Sequence, residues 1–384
     1  MRLDAHQWLL WPGYAFALAS MAYSLLCAFA TRSRMPAGPG RGGPMPPITV
    51  LKPLCGAEPE TYECLRSFCE QHYAEYQVVF GVCEADDAAI PVVRRLQREF
   101  PQLELILAVE RRQHGSNPKV GNLINMMAHA RHDLLIVSDS DVKVGAEYLA
   151  RLAPALQDAG VGLVTCGYRG VARAGIWSLL GAMYINEWFM PSVKVAALLG
   201  YRSCAFGATL GLRRETLAKI GGFQSIADQL ADDYRLGELI RARGLKTVLS
   251  DLEVDTVVGE RSAADLITHE LRWRRTIRNL SPYGHGFSFI TLGVPVTALQ
   301  WLFAQGAAPA AAIFGVTALA AVAIHLRARA PGASPLRLLL VPLRDALHLS
   351  LWIWSFASRR VQWRNDRYRL SRDGAAQPLE GLGR

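Results

Sequence analysis

The sequence predicts an α/β domain, a mostly parallel sheet with helices on both faces, carried between N-terminal and C-terminal membrane helices. Three observations predict it. Short apolar runs of strand length alternate with helical segments from residue 48 to 157, as expected for strands buried on both faces. Uncharged apolar runs stand near the N-terminus and beyond residue 281. The charge excess of +9 (42 Lys+Arg, 33 Asp+Glu) is concentrated beside those runs: Arg32 and Arg34 follow the first, Arg272 to Arg278 precede the second, and Arg359, Arg360 and Arg364 follow the last. That distribution indicates a membrane surface and argues against nucleic acid as a partner.

Taken in order, residues 1–34 form a membrane anchor. "LWPGYAFALASMAYSLLCAFA", Leu10 to Ala30, carries no charge, and about 20 residues suffice to cross a bilayer core as a helix. A cleaved signal peptide is the rival reading, since "AFA" at 28–30 imitates a cleavage site. The run is longer than an ordinary signal core and only Arg2 stands in its leading segment, which favours an uncleaved anchor. Arg32, Arg34 and Arg41 place its exit in the cytoplasm by the positive-inside rule. Residues 35–47, "MPAGPGRGGPMPP", are a Pro/Gly linker.

A soluble α/β domain spans 48–280. "ITVLKPL" predicts a strand, followed by a helix over 58–71; "YQVVFGV" a strand, then a helix over 88–99; "LELILAV" a strand, then a helix over 119–130; "DLLIVSD" a strand, then a helix over 146–157. A further helix opens at Asp232–Asp233 and stops at Gly244, with Leu236, Leu239 and Ile240 on one face. The seven cysteines are odd in number and show neither CxxC pairs nor zinc spacing, so they read as free thiols.

Residues 281–358 return to the membrane. The runs 287–303 and 309–325, joined by "AQGAAP", predict a hairpin. The next run holds Arg344 and Asp345 inside apolar sequence, where charge is costly and marks function or an interfacial position. If all three runs crossed, the basic tail 359–384 would lie outside, so 338–357 reads as re-entrant or interfacial and the tail as cytoplasmic.

Three acidic clusters sit at predicted element ends: "CEADD" at 83–87, "DSD" at 139–141 and "ADDY" at 231–234. Each has an ordinary explanation. Aspartate ends strands as turn chemistry, and Asp232 and Asp233 would cap a helix start and favour its dipole. Together they fall on the carboxyl-end rim of one sheet, where such sheets bind ligands. Asp139 and Asp141 offer the hard oxygens that Mg2+ and Mn2+ prefer, with room for phosphates. A diphosphate leaving group needs its developing charge neutralised, and a separate carboxylate must take the proton of an attacking hydroxyl. A metal-dependent sugar-nucleotide transferase requires that combination. "NPKVGNL" adds Lys119 and Asn122 before the helix leading to "DSD", and Lys119 could meet a phosphate or be a solvated helix-start lysine. "HELRWRRT" adds Arg272 for phosphate and Trp273 for an apolar face, or else an interfacial anchor.

The ordered set "VLKPLCG", "EADD", "NPKVGNL", "DSDVKV", "GGF", "ADDYRL", "LRW" and "WRNDRYRL" resembles the family-2 inverting glycosyltransferases, in particular the ceramide glucosyltransferase branch, over nearly the whole chain. Within it, "YINEWFMPSVKVA" at 184–196 resembles bacterial hopanoid-biosynthesis-associated glycosyltransferases. The resemblance implies a GT-A type nucleotide-binding sheet, a UDP-sugar donor and a divalent cation, Mg2+ or Mn2+. It implies that Glu84, Asp86, Lys119, Asn122 and Asp139 hold the nucleotide, that Asp139 and Asp141 hold the metal, and that Asp233 is the general base. Arg272 and Trp273 match the last two residues of the family's (Q/R)xxRW. Two positions depart from the pattern. His269 replaces Gln or Arg, and Asp141 stands where ceramide enzymes typically carry Gly, which favours a metal and disfavours ceramide. The implied reaction is inverting transfer of N-acetylglucosamine or glucose to a hydroxyl of a membrane lipid, a hopanoid polyol such as bacteriohopanetetrol. The implied setting is a multi-pass protein of the bacterial inner membrane with its catalytic domain facing the cytoplasm. A ceramide glucosyltransferase, a processive polysaccharide synthase and a sugar-nucleotide-binding scaffold are the alternatives.

Overall fold

The computed structural model describes residues 5–32, 45–201, 204–328, 335–363, 366–371 and 374–379. All but the last three residues of the expected linker lie outside them, as do Arg34, Arg41 and Arg364. The chain forms two compact units from interleaved segments. One takes residues 1–34, 175–200 and 260–373; the other takes 35–174, 201–259 and 374–384.

The second unit is the α/β sheet unit. Its strands are β1 (Ile48–Pro53), β2 (Tyr76–Val82), β3 (Glu104–Val109), β4 (Leu134–Val137), β5 (Val142–Lys143), β6 (Val161–Ala172), β7 (Leu210–Arg213) and β8 (Lys246–Val258). They lie in the order β3-β2-β1-β4-β7-β6-β8-β5. The first four are mutually parallel, with Val50 opposite Val78 and Leu51 opposite Val137. β7 then runs antiparallel to both β4 and β6, so the sheet is mixed although mostly parallel.

All six residues of β1 and all four of β4 are buried, which explains the wholly apolar β4 and the mainly apolar β1, where Thr49 and Lys52 are the exceptions. Side chains alternate between two cores. Ile48, Val50, Val78 and Phe80 pack with Leu65, Phe68 and Val93 on one face. Leu51, Val79, Leu135 and Val137 pack with Val120, Leu123, Leu236 and Ile240 on the other. The predicted helices appear as Thr61–Cys69, Ala89–Glu99, Pro118–Met126, Tyr148–Gln157 and Asp232–Arg241. The third is shorter than the expected 119–130 because tight turns replace its last turn from Met127 to Ala130.

The direction of growth reverses beside β1: β2 and β3 are added on one side, β4 on the other. Such a switch opens a crevice at the carboxyl ends of the two central strands. Lys52 near the end of β1 and Asp139 just beyond β4 fall there.

The first unit is helical. The helix Ala5–Ala30 contains the apolar span Leu10–Ala30, and a second candidate span is Ala308–Ala328. Cys27, Ala28 and Ala30 pack with Ala320, Ile324 and Val195. Trp11, Phe16, Phe29, Leu302 and Leu319 are exposed, as a lipid-facing surface requires. The first leg of the expected hairpin is not straight: helical segments Pro282–Thr291 and Gly293–Phe303 meet at 69°. Pro295 has no N–H for the Thr291 carbonyl, which accepts instead from Trp188 Nε1 at 3.3 Å. Helix Val341–Ser355, within the segment read as re-entrant or interfacial, has 15 residues, fewer than the about 20 of a straight span. Strands β9 (Arg360–Trp363) and β10 (Asp366–Leu370) form an antiparallel pair in the basic tail.

Candidate active site

Three elements of the sheet unit bring the acidic rim together. β4 ends at Val137 and the chain turns through Ser138–Asp141. β7 enters antiparallel, with Leu210 opposite Val137, so the preceding residues lie beyond the carboxyl end of β4. The Asp139 N–H donates to the Gly207 carbonyl at 3.2 Å, and the Gly207 N–H donates to Asp233 Oδ2 at 3.0 Å. Gly207 thus ties the "DSD" turn to the helix that opens "DDYRL".

The fourth element is the helix Pro118–Met126. Asn117 caps it, accepting from Val120 N–H at 3.1 Å, and Pro118 occupies its first position. Lys119 consequently projects from the first turn. Its ammonium lies 2.7 Å from Asp139 Oδ1 and 2.9 Å from Asp232 Oδ2. The expected rim residues Lys119, Asp139 and Asp233 therefore meet, and Asp232 joins them.

The charges explain the titration. Burial disfavours the Lys119 ammonium, but Asp139 and Asp232 outweigh it and hold its pKa above the ordinary value. Burial, followed by the charge of Asp232, pushes the Asp233 carboxyl up to about 6, against the pull of Lys119. Its Oδ1 accepts from Tyr234 N–H at 2.7 Å and its Oδ2 from Gly207, which fixes the carboxylate while each oxygen keeps a second lone pair. A carboxylate held in place with a raised pKa is suited to general-base work.

Sequence reasoning missed two participants. Lys52 is fully buried; its ammonium donates to the Asp139 carbonyl and lies 3.3 Å from Ser138 Oγ. Burial lowers its pKa to about 8 despite nearby Cys64, Asp141 and Asp139. A lysine near the end of a buried, mainly apolar strand was the available signal. Gly207 is the other: a Cβ there would stand 2.6 Å from Asp139 Oδ2 and 3.2 Å from Lys119 Nζ. Gly207→Ala is expected to displace the Asp139 carboxylate and lower kcat/KM by about tenfold or more, as ångström-scale misplacement does, with little change in Tm. Unchanged kinetics would show that Asp139 tolerates displacement.

Glu84 and Asp86 follow the carboxyl end of β2. Glu84 is exposed and held by Arg111, with Nε at 2.8 Å. Asp86 is exposed on the same loop, whereas Asp87 accepts from the N–H groups of Gly56 and Ala89. Asn122 does not reach the open rim: it is 4% exposed and its amide donates to the Gly81 carbonyl at 2.8 Å, joining the strand ends. Arg272 and Trp273 belong to the helical unit, on Ala263–Leu280, which opens with a Ser262–Asp265 capping box. The Arg272 guanidinium lies 5.9 Å from the Trp363 ring centroid. His269 pairs with Glu260 at 2.5 Å and meets Trp273 edge-on at 4.4 Å, so at the departing motif position it orients the tryptophan.

Asp139 and Asp141 suit a divalent cation shared with a substrate. Among the described residues, no three His, Cys, Asp or Glu side chains converge as a closed metal cage. Burial, then the charge of Asp139, pushes the Asp141 carboxyl up to about 7, a repulsion that a cation relieves. Mg2+ is commonly bound by one or two carboxylates together with waters and substrate phosphates, and this donor set fits that pattern.

Comparison with known proteins gives a consistent result. The family described as Glycosyl transferase family 21 matches residues 10–376. A Caenorhabditis elegans protein named Ceramide glucosyltransferase 3 is 23% identical over 353 residues, covering 87% of this chain and 75% of that protein. The Gibberella zeae protein named Ceramide glucosyltransferase is 27% identical over 163 residues, 40% of this chain and 31% of its own length. Among solved structures, a mannosyltransferase from Pyrobaculum calidifontis in complex with GDP-Man and Mn2+ superposes with a TM-score of 0.53 at 20% identity, covering 91% of this chain and 97% of that one. That likeness shows the fold, a GT-A-like sheet with helices.

Proposed function

The chain belongs to glycosyl transferase family 21, and on that premise we propose that it transfers a hexose from a UDP-sugar to a hydroxyl of a membrane lipid. One observation carries the reading: at the switch point of the sheet, Lys119 bridges Asp139 and Asp232 while Asp233 is hydrogen-bonded through Gly207 to the same turn. Asp233 takes the proton of the acceptor hydroxyl as its oxygen attacks the anomeric carbon opposite the departing UDP, which inverts that carbon. Asp139 and Asp141 would hold a divalent cation, whose charge would neutralise the diphosphate. Lys119 supplies a fixed positive charge at the same rim, and Lys52 holds the turn from below.

The curated relatives support a ceramide-type acceptor with glucose as the sugar, the alternative weighed from the sequence. The aspartate at 141 and the stretch 184–196 support the second reading, a hopanoid polyol receiving N-acetylglucosamine. The described helices offer two candidate spans, or three if the bent pair counts as one. That is a sparse set for the polymer channel of a processive synthase. Arg32 after the first span supports a cytoplasmic catalytic face, and the hopanoid resemblance supports a bacterial inner membrane.

Mass spectrometry of lipids after incubating the purified protein with Mn2+, UDP-glucose or UDP-N-acetylglucosamine, and ceramide or bacteriohopanetetrol tests the acceptor. Hexosylceramide is the expected product. A glycosylated hopanoid without glycosylated ceramide would replace the first reading by the second; no glycolipid from any pair would contradict both.

A further inference from the structure

We propose that a cavity inside the helical unit binds the hydroxylated head of a membrane lipid. The cavity has a volume of about 70 Å3 and is lined by Tyr184, Glu187 and Trp188 from a π-helical turn, and by Arg344, Asp345 and His348 from the helix Val341–Ser355. The lipid's identity as the acceptor rests on the function proposed above; the binding site itself is argued from this unit alone.

Asp345 and His348 are three residues apart, so they share one helix face. Asp345 Oδ2 and His348 Nε2 are both buried and neither has a hydrogen-bond partner. His348 is only 4% exposed. Arg344 Nε, on the same helix, also lacks a partner; buried polar atoms are nearly always paired, so these unpaired atoms mark where a ligand's polar atoms belong. The π-helical turn opposite, Tyr184–Phe189, is a local feature that recurs at functional sites.

The neighbouring charges select the ligand. Both terminal nitrogens of Arg344 are committed to Glu270, each at 2.7 Å from a different carboxylate oxygen. Glu187 Oε1 lies 2.8 Å from His325 Nδ1. Glu270 also faces Arg274 at 3.6 Å, so two guanidiniums share one carboxylate, and the Asp345 and Glu187 carboxylates of the cavity wall balance the remaining charge and leave no excess cation for an anionic head. A hydroxyl both donates and accepts, which matches a carboxylate oxygen beside an imidazole nitrogen. Tyr184 and Trp188 stack at 5.1 Å and 24°, giving an apolar wall for the carbon skeleton of such a head. The volume admits a head of a few heavy atoms.

The test uses the full chain in nanodiscs without UDP-sugar and a short-chain fluorescent ceramide as probe, read by anisotropy. Asp345→Asn and His348→Leu are each expected to weaken binding by about tenfold, while UDP affinity measured by calorimetry stays unchanged. Leu343→Ala, at an exposed position of the same helix, controls for damage to the helix and should bind as wild type does. The probe with its head hydroxyls methylated should bind wild type about tenfold more weakly and no longer distinguish Asp345→Asn, a comparison that does not depend on how well the variant folds. Equal affinity of wild type and both variants for the ceramide probe, or undiminished binding of the methylated probe, would overturn the cavity assignment. Variant-sensitive binding by a protein that transfers no sugar would leave the cavity standing and remove the proposed reaction instead.

Discussion

Asp233→Asn lowers kcat by about 10²–10⁴-fold, the usual contribution of a positioned general base, and leaves UDP affinity unchanged. The substitution keeps the size of the side chain and one oxygen to accept from Gly207 or Tyr234, whose N–H groups lie 3.0 and 2.7 Å from the present carboxylate. It removes the proton acceptor and the acceptor of one of those two N–H groups. The pH dependence follows from the same group. Burial and then Asp232 raise the Asp233 pKa to about 6. A base works only when deprotonated, so kcat/KM is constant above about pH 7 and falls as pH drops through about 6, roughly tenfold per pH unit below it. Retention of more than about a tenth of the wild-type rate by Asp233→Asn would exclude it as the base.

The second large effect is on donor binding. Asp141→Asn removes one of the two carboxylates whose mutual repulsion a cation relieves. It is expected to abolish most of the divalent dependence of UDP binding and to lower kcat/KM by about 10²–10³-fold, comparable to losing a preorganised stabiliser of transition-state charge. Asp139→Asn should do this and more, because Lys119 also loses the partner 2.7 Å away. Calorimetric UDP titrations with and without Mn2+ separate the two effects. A metal dependence in Asp141→Asn equal to that of wild type would show that Asp141 does not serve the cation.

The half of the sheet built from β1 to β4 was legible because its strands are apolar, those of β1, β2 and β4 almost wholly buried, and flanked by amphipathic helices. The remaining strands were not. β7 is as short as β4 but carries Gly211 and Arg213 among its four residues, so it lacks the unbroken apolar run that marks β4. β8 mixes buried and part-exposed positions, with Asp251, Glu253 and Asp255 inside a strand. Asp255 is held by the Arg169 guanidinium on the paired strand β6, at 2.9 and 3.0 Å, a cross-strand contact that no local pattern announces.

The same limit applies at the site. Asp139 and Asp233 were legible as aspartates at element ends, since those ends share one rim. Gly207 was not, because its role comes from an antiparallel strand carrying it against Asp139. Asn122, placed correctly on its helix, is used to join backbone carbonyls of β2 and the β1 loop rather than to face the rim. Asp232, read with Asp233 as a helix-start pair, turns out to be the second anchor of Lys119.

The central claim is that one fixed carboxylate, Asp233, activates the acceptor for direct displacement of UDP. The configuration of the bond formed tests it most directly. Proton NMR of the glycolipid made from an α-linked UDP-sugar should show only the β-anomer, and Asp233→Asn should make almost none. An α-linked product, or a β-linked product formed by Asp233→Asn at the wild-type rate, would contradict the account.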